Sequence, residues 1–302
     1  MNNKVCVIVN PAAGRGRGAR ALPDVRRAFA NVGVDDVRIS SSKQDEKVVA
    51  RRAIADGCTT LAAVGGDGTW SNVANAILEA RADVRLALLA AGTGNDFVKT
   101  IGAPARDLDA SARLATEGPD HRVDVGRIEN RYFLNIAGFG FDVAVLEDSE
   151  RVSFLTGNAV YIYSALRQLF SYRPSLIDLQ SAEGEHSLTK RLMLVIANAR
   201  HFGGAFHIAP RASITDGLLD AISIGDATAM RRLTLFAAAA RGTHVSHPEV
   251  TVEQSSAFHL RFQSPPAYET DGEYHRAASA QIEVACVPRA LRVVSPAGAV
   301  GG

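Results

Sequence analysis

The feature that most constrains the fold is a pattern repeated along the first 125 residues: a short apolar run, a glycine-rich or polar turn, and a stretch with helical spacing. Short apolar strands that alternate with helices are typical of a parallel sheet covered by helices on both faces. We therefore predict an α/β domain with a parallel sheet at the start of the chain. Its predicted strands are Val5–Val9, Val37–Ser40, Thr60–Val64 and Leu86–Ala90, and its predicted helices lie near Ala19–Ala30, Asp45–Ala55 and Ser71–Ala80.

The pattern changes after His121. Closely spaced β-rich runs follow, among them residues 131–145, 191–199 and 257–263, with helical stretches near Val160–Phe170 and Met230–Ala240. Such runs predict an antiparallel β-sandwich, and 302 residues are enough for two domains. We assign 1–122 to the α/β domain, 123–290 to the β-sandwich and 291–302 to a C-terminal tail, whose small residues from 295 onward we expect to fray.

Composition excludes several classes of protein. The 33 Lys and Arg residues balance 32 Asp and Glu residues, so the overall charge favours no nucleic-acid partner. The three cysteines are far apart and lack CxxC spacing, which suggests neither a disulfide framework nor a zinc site. The sequence shows no signal-peptide pattern and no run of about 18 apolar residues. We expect a cytoplasmic protein without a transmembrane segment, whose contact with membranes is peripheral, and the sequence leaves a homodimer open.

The first candidate site is the loop Asn10–Gly18, which follows the first strand. Its glycines give backbone N–H groups access to an anion, and Arg15 and Arg17 supply positive charge. The loop lacks the Gly-Lys-Ser/Thr of a Walker A motif. A phosphate-binding loop and an ordinary tight turn between strand and helix both remain open for it.

A stronger candidate is Gly65–Thr69, at the end of the third strand and the start of a helix. Three glycines around Asp67 leave the main chain open to a nucleotide, and a carboxylate that faces phosphates requires a cation. The alternative for Asp67 is a turn or helix-capping role.

The segment Gly92–Phe97 follows the fourth strand in the same way. Thr93 and Asn95 can donate hydrogen bonds to a ribose or phosphate, and Asp96 is a second candidate metal ligand, with helix capping as its alternative. Because loops at the carboxyl ends of parallel strands converge, we expect the three loops to line one site.

Taken in order, Asn10–Gly14, Gly65–Thr69, Gly92–Phe97, residues 134–143 and Thr270–Glu273 resemble the bacterial lipid kinases with a diacylglycerol kinase catalytic domain, relatives of sphingosine and ceramide kinases. The resemblance extends over nearly the whole chain. It implies an N-terminal nucleotide domain, a C-terminal β-sandwich that helps to form the acceptor site, and an active site in the cleft between the two domains.

The resemblance also implies roles for individual residues. Asp67 and Asp96 lie near the phosphates and the catalytic Mg²⁺, Glu273 is the general base that takes the proton of the lipid hydroxyl, and Asp216 holds a structural Mg²⁺. The implied ATP-binding residues are Asn10, Gly14, Arg15, Gly65, Gly66, Asp67, Gly68, Thr69, Thr93 and Asn95.

Without the resemblance, the residues of the second domain have simpler roles. Residues 268–273 also fit a polar hairpin turn, and Asp216-Gly217 fits an ordinary Asp-Gly turn. Phe139, Phe141, Phe202 and Phe206 lie beside glycines and either contact lipid or pack in the core. We interpret His201, His207, His244 and His247 as surface or turn residues, because their spacing does not match a zinc site.

Three functions follow from these observations. The first is an ATP-dependent, Mg²⁺-assisted kinase that phosphorylates a lipid hydroxyl, of diacylglycerol or a related lipid, at the membrane surface. The second is a kinase of a soluble acceptor such as NAD, which uses a similar Gly-Gly-Asp-Gly turn. The third is a lipid-binding or regulatory module without turnover, against which the presence of Asp67, Asp96 and Glu273 argues.

Overall fold

A computed structural model describes residues 3–42, 45–104, 107–152, 158–181 and 188–298. The chain divides into two compact units, one made of Met1–Asp124 and Arg289–Gly302 and the other of Val125–Pro288. The first unit is built around a parallel sheet, and the strand pairs of the second unit are antiparallel. This architecture confirms the predicted fold class.

The sheet of the first unit has the strand order β2, β1, β3, β4, followed by the C-terminal end of β15. Apolar side chains cover both faces of β1 and β3, and every residue of these two strands is buried. These strands form where the sequence predicts them. Their bounds are β1 Val5–Val9, β2 Val37–Ile39, β3 Thr60–Gly65, β4 Arg85–Ala90 and β15 Gln281–Val294.

Five helices accompany this sheet in the described part of the first unit. Val25, Ala28 and Phe29 on one helix pack against strand residues in a common apolar core. Three of the helices coincide with the predicted ones. The bounds are α1 Ala13–Ala30, α2 Asp45–Ala55, α3 Asp67–Glu79, α4 Asp96–Thr100 and α5 Leu108–Glu117.

The second unit is an antiparallel sandwich with the strand order β14, β13, β7, β9, β8, β12, β15, in which β10 pairs with β9 and β11. The chain enters this unit through β5 and leaves it through β15. The strands are β5 Asp120–Ile128, β6 Arg131–Phe133, β7 Ile136–Gly140, β8 Ser175–Ser181, β9 Leu188–Ala197, β10 Leu219–Gly225, β11 Val250–Ser255, β12 Ala257–Phe262, β13 Ala267–Thr270 and β14 Glu273–Arg276.

Strand β9 separates two apolar cores of the second unit. Leu194 and Ile196 point into a core between strands, whereas Met193 and Val195 point into a second core that includes helical residues. Alternate residues of a strand face opposite sides. The continuous apolar run of β9 is therefore explained by burial on both faces.

Three helices lie in the described part of the second unit: α6 Phe141–Arg151, α7 Asn158–Ser171 and α8 Ala229–Ala239, followed by a short 3-10 helix at His244–Ser246. The sequence predicts α7 and α8, but residues 131–145 read as β-rich throughout. Gly140, with φ of 100°, ends β7 and starts α6. The β-branched residues after Gly140 favour a strand, which is why the sequence does not predict α6. The strand can end at Gly140 because glycine readily adopts a positive φ, and the helix begins directly after it.

The structure also differs from the prediction at the C-terminus. Residues 291–294, assigned to a tail, form the end of β15, where Arg292 and Val293 pair with Arg85 and Leu86 of β4. Leu291, Val293 and Val294 are buried because they complete the apolar sheet of the first unit. Residues 299–302 of the expected frayed segment lie outside the described residues.

Within the described residues, no helix has both the length and the apolar character needed to cross a membrane.

Candidate active site

Three loops lie together at the carboxyl ends of β1, β3 and β4, in one parallel sheet. The Asn10 side-chain amide donates a hydrogen bond to Thr69 Oγ1 at 3.0 Å. The backbone N–H groups of Ala91 and Gly92 donate to the carbonyl oxygen of Gly65 at 2.7 and 2.8 Å. The structure thus gathers at one edge the loops that contain every residue of the implied ATP site.

Glycine is required where these loops touch. A Cβ atom on Gly92 would lie 2.5 Å from the Cα of Gly66, and one on Gly14 would overlap the carbonyl oxygen of Ala91. Gly14 also has a φ of 57°. These glycines therefore let the loops pack against one another.

Asp67 connects the second loop to the third. It is the first residue of α3, and its Oδ1 accepts hydrogen bonds from the backbone N–H groups of Asp96 and Phe97 at 2.8 and 3.2 Å. Asp67 is therefore a capping residue, but of α4 rather than of its own helix. It remains half-buried at the same edge of the sheet.

Asp96 and Asn95 complete the third loop. Asp96 is buried, and its Oδ1 accepts a hydrogen bond from Lys99 Nζ at 2.7 Å. Asn95 has a left-handed φ of 53° and donates from Nδ2 to the carbonyl oxygen of Gly92 at 3.1 Å. Within the described residues, Asn95 Oδ1 is buried and has no hydrogen-bond partner. An oxygen in this position can accept from a ligand or bind a cation.

The first loop contributes the positive charge. Arg17 donates from Nη2 to Thr93 Oγ1 at 2.9 Å and from Nε to the carbonyl oxygen of Gly14 at 3.3 Å. Arg15 lies in the non-helical part of α1, with a φ of 57° and an exposed position. Arg17 thus ties the first loop to the third, a role that its place in the sequence does not reveal.

In the second unit, residues 268–273 form the hairpin that their polar character predicts. Asp271 and Gly272 have φ of 50° and 84° and connect β13 to β14, where Thr270 pairs with Glu273. The Asp271 carboxylate accepts backbone hydrogen bonds from Leu134 and Asn135 at 2.8 Å, and from residue 136 at 3.3 Å. Asp271 anchors the hairpin, and Glu273 follows it as a half-exposed side chain.

Asp216 lies in an Asp-Gly turn before β10. It is exposed, and its Oδ1 accepts a hydrogen bond from the N–H of Leu218 at 3.0 Å. Asp220, on β10, is buried, and burial together with the charge of Asp216 raises its pKa to about 6. Two carboxyl groups are therefore close enough to interact at this turn, and both are oxygen donors of the kind that Mg²⁺ prefers.

An apolar cavity lies within the second unit among α6, α7, α8 and the strands β9 and β10. Its walls include Phe141, Leu169, Met193, Phe206 and Leu235. The other lining residues are also apolar or glycine, except for three charged ones, Asp142, Arg232 and Glu269. Such a lining suits an apolar molecule.

Two of these charged residues form a buried carboxyl pair. Both Asp142 and Glu269 pack on Gly138, where a Cβ atom would overlap Asp142 Oδ2 and come within 3.2 Å of Glu269 Cγ. Burial raises the pKa of Asp142 and, with added repulsion from Asp142, raises that of Glu269 well above its usual value. Burial therefore favours the neutral form of both carboxyl groups.

This pair has no counterpart among the residues predicted from the sequence. Asp142 is the one acidic residue in the apolar segment 136–145. A single carboxyl group in an apolar segment was the sequence feature that could have marked it as a functional residue. The sequence does not distinguish Glu269 in this way, because it lies among other acidic residues of the hairpin. Their contact depends on the pairing of β13 with β7, which opposes Glu269 to Gly138.

The phenylalanines divide between core and cavity, and the histidines include one buried residue. Phe139 is a core residue that stacks against Phe262 and Tyr268, whereas Phe141, Phe202 and Phe206 line the cavity. The prediction of a surface or turn position was wrong for His244. That side chain is fully buried, and its Nε2 lies 3.0 Å from the carbonyl oxygen of Ile208.

Two cysteines that are distant in sequence meet in the first unit. The side chains of Cys6, Cys58 and Asp36 have their sulfur and oxygen atoms within 4.8 Å of one another. Burial raises the pKa of the Cys6 thiol to about 12. Asp36 accepts two hydrogen bonds from the Arg38 guanidinium at 2.9 Å. A protonated thiol beside an ion pair explains this cluster as part of the packing.

Known families match both parts of the chain. Residues 4–128 match the family described as "Diacylglycerol kinase catalytic domain". Residues 135–295, more than half of the chain, match the "YegS C-terminal NAD kinase beta sandwich-like domain". The order of the two matches is the order of the two architectures in the structure.

Individual proteins agree with these matches. A diacylglycerol kinase of Mycobacterium tuberculosis is 29% identical over 299 residues, covering 97% of this chain and 95% of that protein. One of Staphylococcus aureus is 27% identical over 277 residues, covering 91% and 87%.

Solved structures show the same fold. A diacylglycerol kinase structure from Bacillus anthracis str. Sterne has a TM-score of 0.72 at 18% identity, covering 99% of this chain and 98% of that one. Another structure from that organism has a TM-score of 0.80 at 20% identity, covering 99% of each chain. This protein is a kinase, and it belongs to the diacylglycerol kinase-like family in which the catalytic domain precedes a NAD kinase-like β-sandwich.

Proposed function

We propose that this protein transfers the γ-phosphate of ATP to the hydroxyl group of a membrane lipid, diacylglycerol or a related lipid, in the cytoplasm. The observation that carries the choice of substrate is the cavity of the second unit. Its walls are apolar except for the carboxyl pair and Arg232, so it favours acyl chains over a soluble acceptor such as NAD.

The carboxyl pair gives the cavity a polar end. Within the described residues, Glu269 Oε1 is buried and has no hydrogen-bond partner. A buried oxygen of this kind gains free energy when a ligand donates a hydrogen bond to it. We assign to Asp142 and Glu269 the binding of a polar group on the lipid, while the acyl chains contact the apolar walls.

The nucleotide is assigned to the loop cluster of the first unit. Arg15 and Arg17 supply positive charge, and Thr93 and Asn95 offer hydrogen-bonding groups at the carboxyl edge of the sheet. Phosphoryl transfer needs little covalent chemistry from the protein, and positioning of the phosphates together with charge neutralisation provides most of the catalysis. The arrangement of the three loops supplies both.

Mg²⁺ is the cation that fits the acidic residues of these loops. Asp67, Asp96 and the unpartnered Asn95 Oδ1 are all oxygen donors, the type of ligand that Mg²⁺ prefers. When bound, Mg²⁺ would neutralise the charge that develops on the transferred phosphoryl group. The contribution of the chain is to fix the carboxylates, through the hydrogen bonds from Asp96 and Phe97 to Asp67 and from Lys99 to Asp96.

We assign to Glu273 the role of general base. Its carboxylate accepts the proton of the lipid hydroxyl as that oxygen forms a bond to the γ-phosphorus, and ADP departs with the electrons of the broken P–O bond. The anchored hairpin of Asp271 fixes the backbone on which Glu273 is presented. A structural Mg²⁺ at Asp216, with Asp220 beside it, is a separate part of the proposal.

A product assay tests this function. Purified protein is incubated with labelled ATP, Mg²⁺ and a panel of hydroxyl lipids in mixed micelles, with NAD as the soluble acceptor. We expect label in the lipid fraction, for diacylglycerol or a related lipid, and none in NAD. Phosphorylation of NAD alone would overturn the proposal. The Asp67→Asn variant serves as the control for a contaminating kinase.

A further inference from the structure

A tight hairpin at residues 202–206 forms part of the wall of the apolar cavity. Phe202 and Phe206 exchange two hydrogen bonds between backbone N–H and carbonyl groups, each 3.0 Å long. Gly203 and Gly204, with φ of 62° and 76°, lie in the turn between them. Both phenylalanines line the cavity. The conformation of this hairpin therefore determines part of the shape of the cavity.

His201 and His207 flank the hairpin and meet each other. Because Phe202 and Phe206 form a hydrogen-bonded pair, the next residues outward take a non-hydrogen-bonded position, where opposed side chains come closest. Successive residues of an extended chain point to opposite sides, and neither histidine belongs to the cavity wall. Their rings are nearly perpendicular, at 77°, and the two Nε2 atoms are 3.0 Å apart. A separation of six residues, which does not fit a helical zinc site, thus brings two imidazoles together across a hairpin.

The two Nε2 atoms are placed as ligands of one ion. A transition-metal ion binds an imidazole nitrogen at about 2.0–2.1 Å. Two nitrogens 3.0 Å apart can therefore contact the same ion, with an angle of about 95° between the two bonds. This angle fits the tetragonal geometry of Ni²⁺ or Cu²⁺. For the tetrahedral geometry of Zn²⁺, the two nitrogens need to separate by only about 0.3 Å.

A hydrogen bond between the two rings accounts for their contact less well than an ion does. His207 is exposed and His201 is half-buried. Water can replace a hydrogen bond at such a position, so its net contribution to stability is small. Solvent access is also what lets an ion reach the two rings. Imidazole is a ligand of Zn²⁺, Ni²⁺ and Cu²⁺, whereas Mg²⁺ prefers oxygen, so this pair differs in chemistry from the acidic residues assigned to Mg²⁺.

The pair supplies two ligands and leaves the other positions of an ion open. In the described part of the chain, groups of three or more His, Cys, Asp or Glu side chains with ligand atoms within 4.8 Å of one another are limited to the cluster of Cys6, Asp36 and Cys58. No third side chain of these types therefore joins the two histidines among the described residues. Water completes the coordination, and we expect an exchangeable ion rather than a closed structural site.

We propose that His201 and His207 form a binding site for a divalent transition-metal ion, of the class of Zn²⁺ and Ni²⁺. The ion joins the two ends of the hairpin and thereby restrains Phe202 and Phe206 at the cavity. The site does not rest on the proposed lipid kinase function, because metal binding requires neither ATP nor lipid. Failure of one proposal is therefore distinguishable from failure of the other.

Isothermal titration calorimetry with NiCl₂, without ATP or lipid, tests the site. His201→Gln and His207→Gln are compared with wild type and with His259→Gln, which removes an exposed imidazole on β12 of the same unit. We expect each variant of the pair to weaken one binding step at least about tenfold, since one of two protein ligands is lost. The control should bind like wild type, and excess Mg²⁺ should not displace Ni²⁺. Equal affinities in all four proteins, or displacement by Mg²⁺, would overturn the proposal.

Hydrogen exchange measures the restraint on the hairpin. In wild type and in His259→Gln, Ni²⁺ should slow exchange at the backbone N–H groups of Phe202 and Phe206, because an ion bound to the closed hairpin makes opening rarer. In His201→Gln and His207→Gln, Ni²⁺ should leave the exchange rates unchanged, while circular dichroism shows that both variants are folded. Equal exchange with and without Ni²⁺ in wild type would show that no ion joins the ends of the hairpin, and the proposal would be wrong.

Discussion

The two units of this protein surround their carboxyl groups with opposite environments. Asp67, in the first unit, accepts hydrogen bonds from two backbone N–H groups, which stabilise its negative charge. Asp142 and Glu269, in the second unit, are buried against each other in an apolar wall, which raises the pKa of both. The same functional group is thus stabilised as a charged carboxylate in one unit and as a neutral carboxyl group in the other.

The largest expected effect tests the charged side of this comparison. In Asp67→Asn, the amide oxygen can still accept from Asp96 and Phe97, while the negative charge is lost. We expect the turnover rate to fall about a thousandfold or more, with an unchanged melting temperature, because the charge acts on the phosphates and their cation. Steady-state kinetics and circular dichroism provide the two measurements.

Asp67→Ala sharpens this test, since it removes the hydrogen bonds as well as the charge. We expect the same loss of turnover, together with a loss of stability of about 1 kcal/mol or more from the uncapped α4. If Asp67→Asn kept wild-type turnover while Asp67→Ala lost it, the role of Asp67 would be structural only.

Glu273→Gln tests the proton transfer. The side chain keeps its size and its place after the hairpin, but it cannot accept the proton of the lipid hydroxyl. We expect the turnover rate to fall about 10²- to 10⁴-fold, with the dissociation constant for ATP unchanged in a fluorescence titration. A variant with near wild-type turnover would assign the base to another residue.

The first of the two environments could be predicted well from the sequence. Parallel strands bring their carboxyl ends to one edge, so loops that begin at Asn10, Gly65 and Gly92 were expected to meet, and they do. What could not be predicted is how they meet. The packing of Gly66 on Gly92 and the capping of α4 by Asp67 depend on the twist and spacing of the strands, which short motifs do not specify.

The second environment was largely invisible in the sequence. Asp142 and Glu269 become neighbours only through the pairing of β13 with β7, and antiparallel strands that are distant along the chain carry no local signal of their partners. The burial of His244 was not predicted for the same reason, because its ring contacts the carbonyl oxygen of Ile208, which is distant along the chain. Helix α6 was not predicted for a different reason: the β-branched residues within the helix itself suggest a strand.

A narrower cavity tests whether acyl chains occupy the second unit. Ala165 is 3% exposed and lines the cavity, so Ala165→Phe fills part of the space without adding charge. We expect the KM for a long-chain diacylglycerol to rise about tenfold, which corresponds to a loss of roughly 1.4 kcal/mol of binding free energy from apolar contacts. The KM for ATP should be unchanged. Equal changes in both constants would indicate a damaged fold rather than a filled lipid site.

A further test addresses the neutral side of the comparison through stability. Burial raises the pKa of Asp142 from its ordinary value of 3.8 to about 7, so the folded protein keeps a proton that the unfolded chain releases. The stability that this proton contributes is complete below about pH 4 and is lost as the pH rises through about 7.

Asp142→Asn has no such proton to lose, so it should gain stability relative to wild type over that interval, by at most about 1.4 kcal/mol per pH unit. Urea unfolding of both proteins at several pH values measures this difference. Other acidic groups whose pKa is lowered, such as Asp36 and Asp120, affect both proteins alike and cancel. Parallel stability curves would mean that the carboxyl pair is ionised in the folded protein, and the contrast between the two units would then disappear.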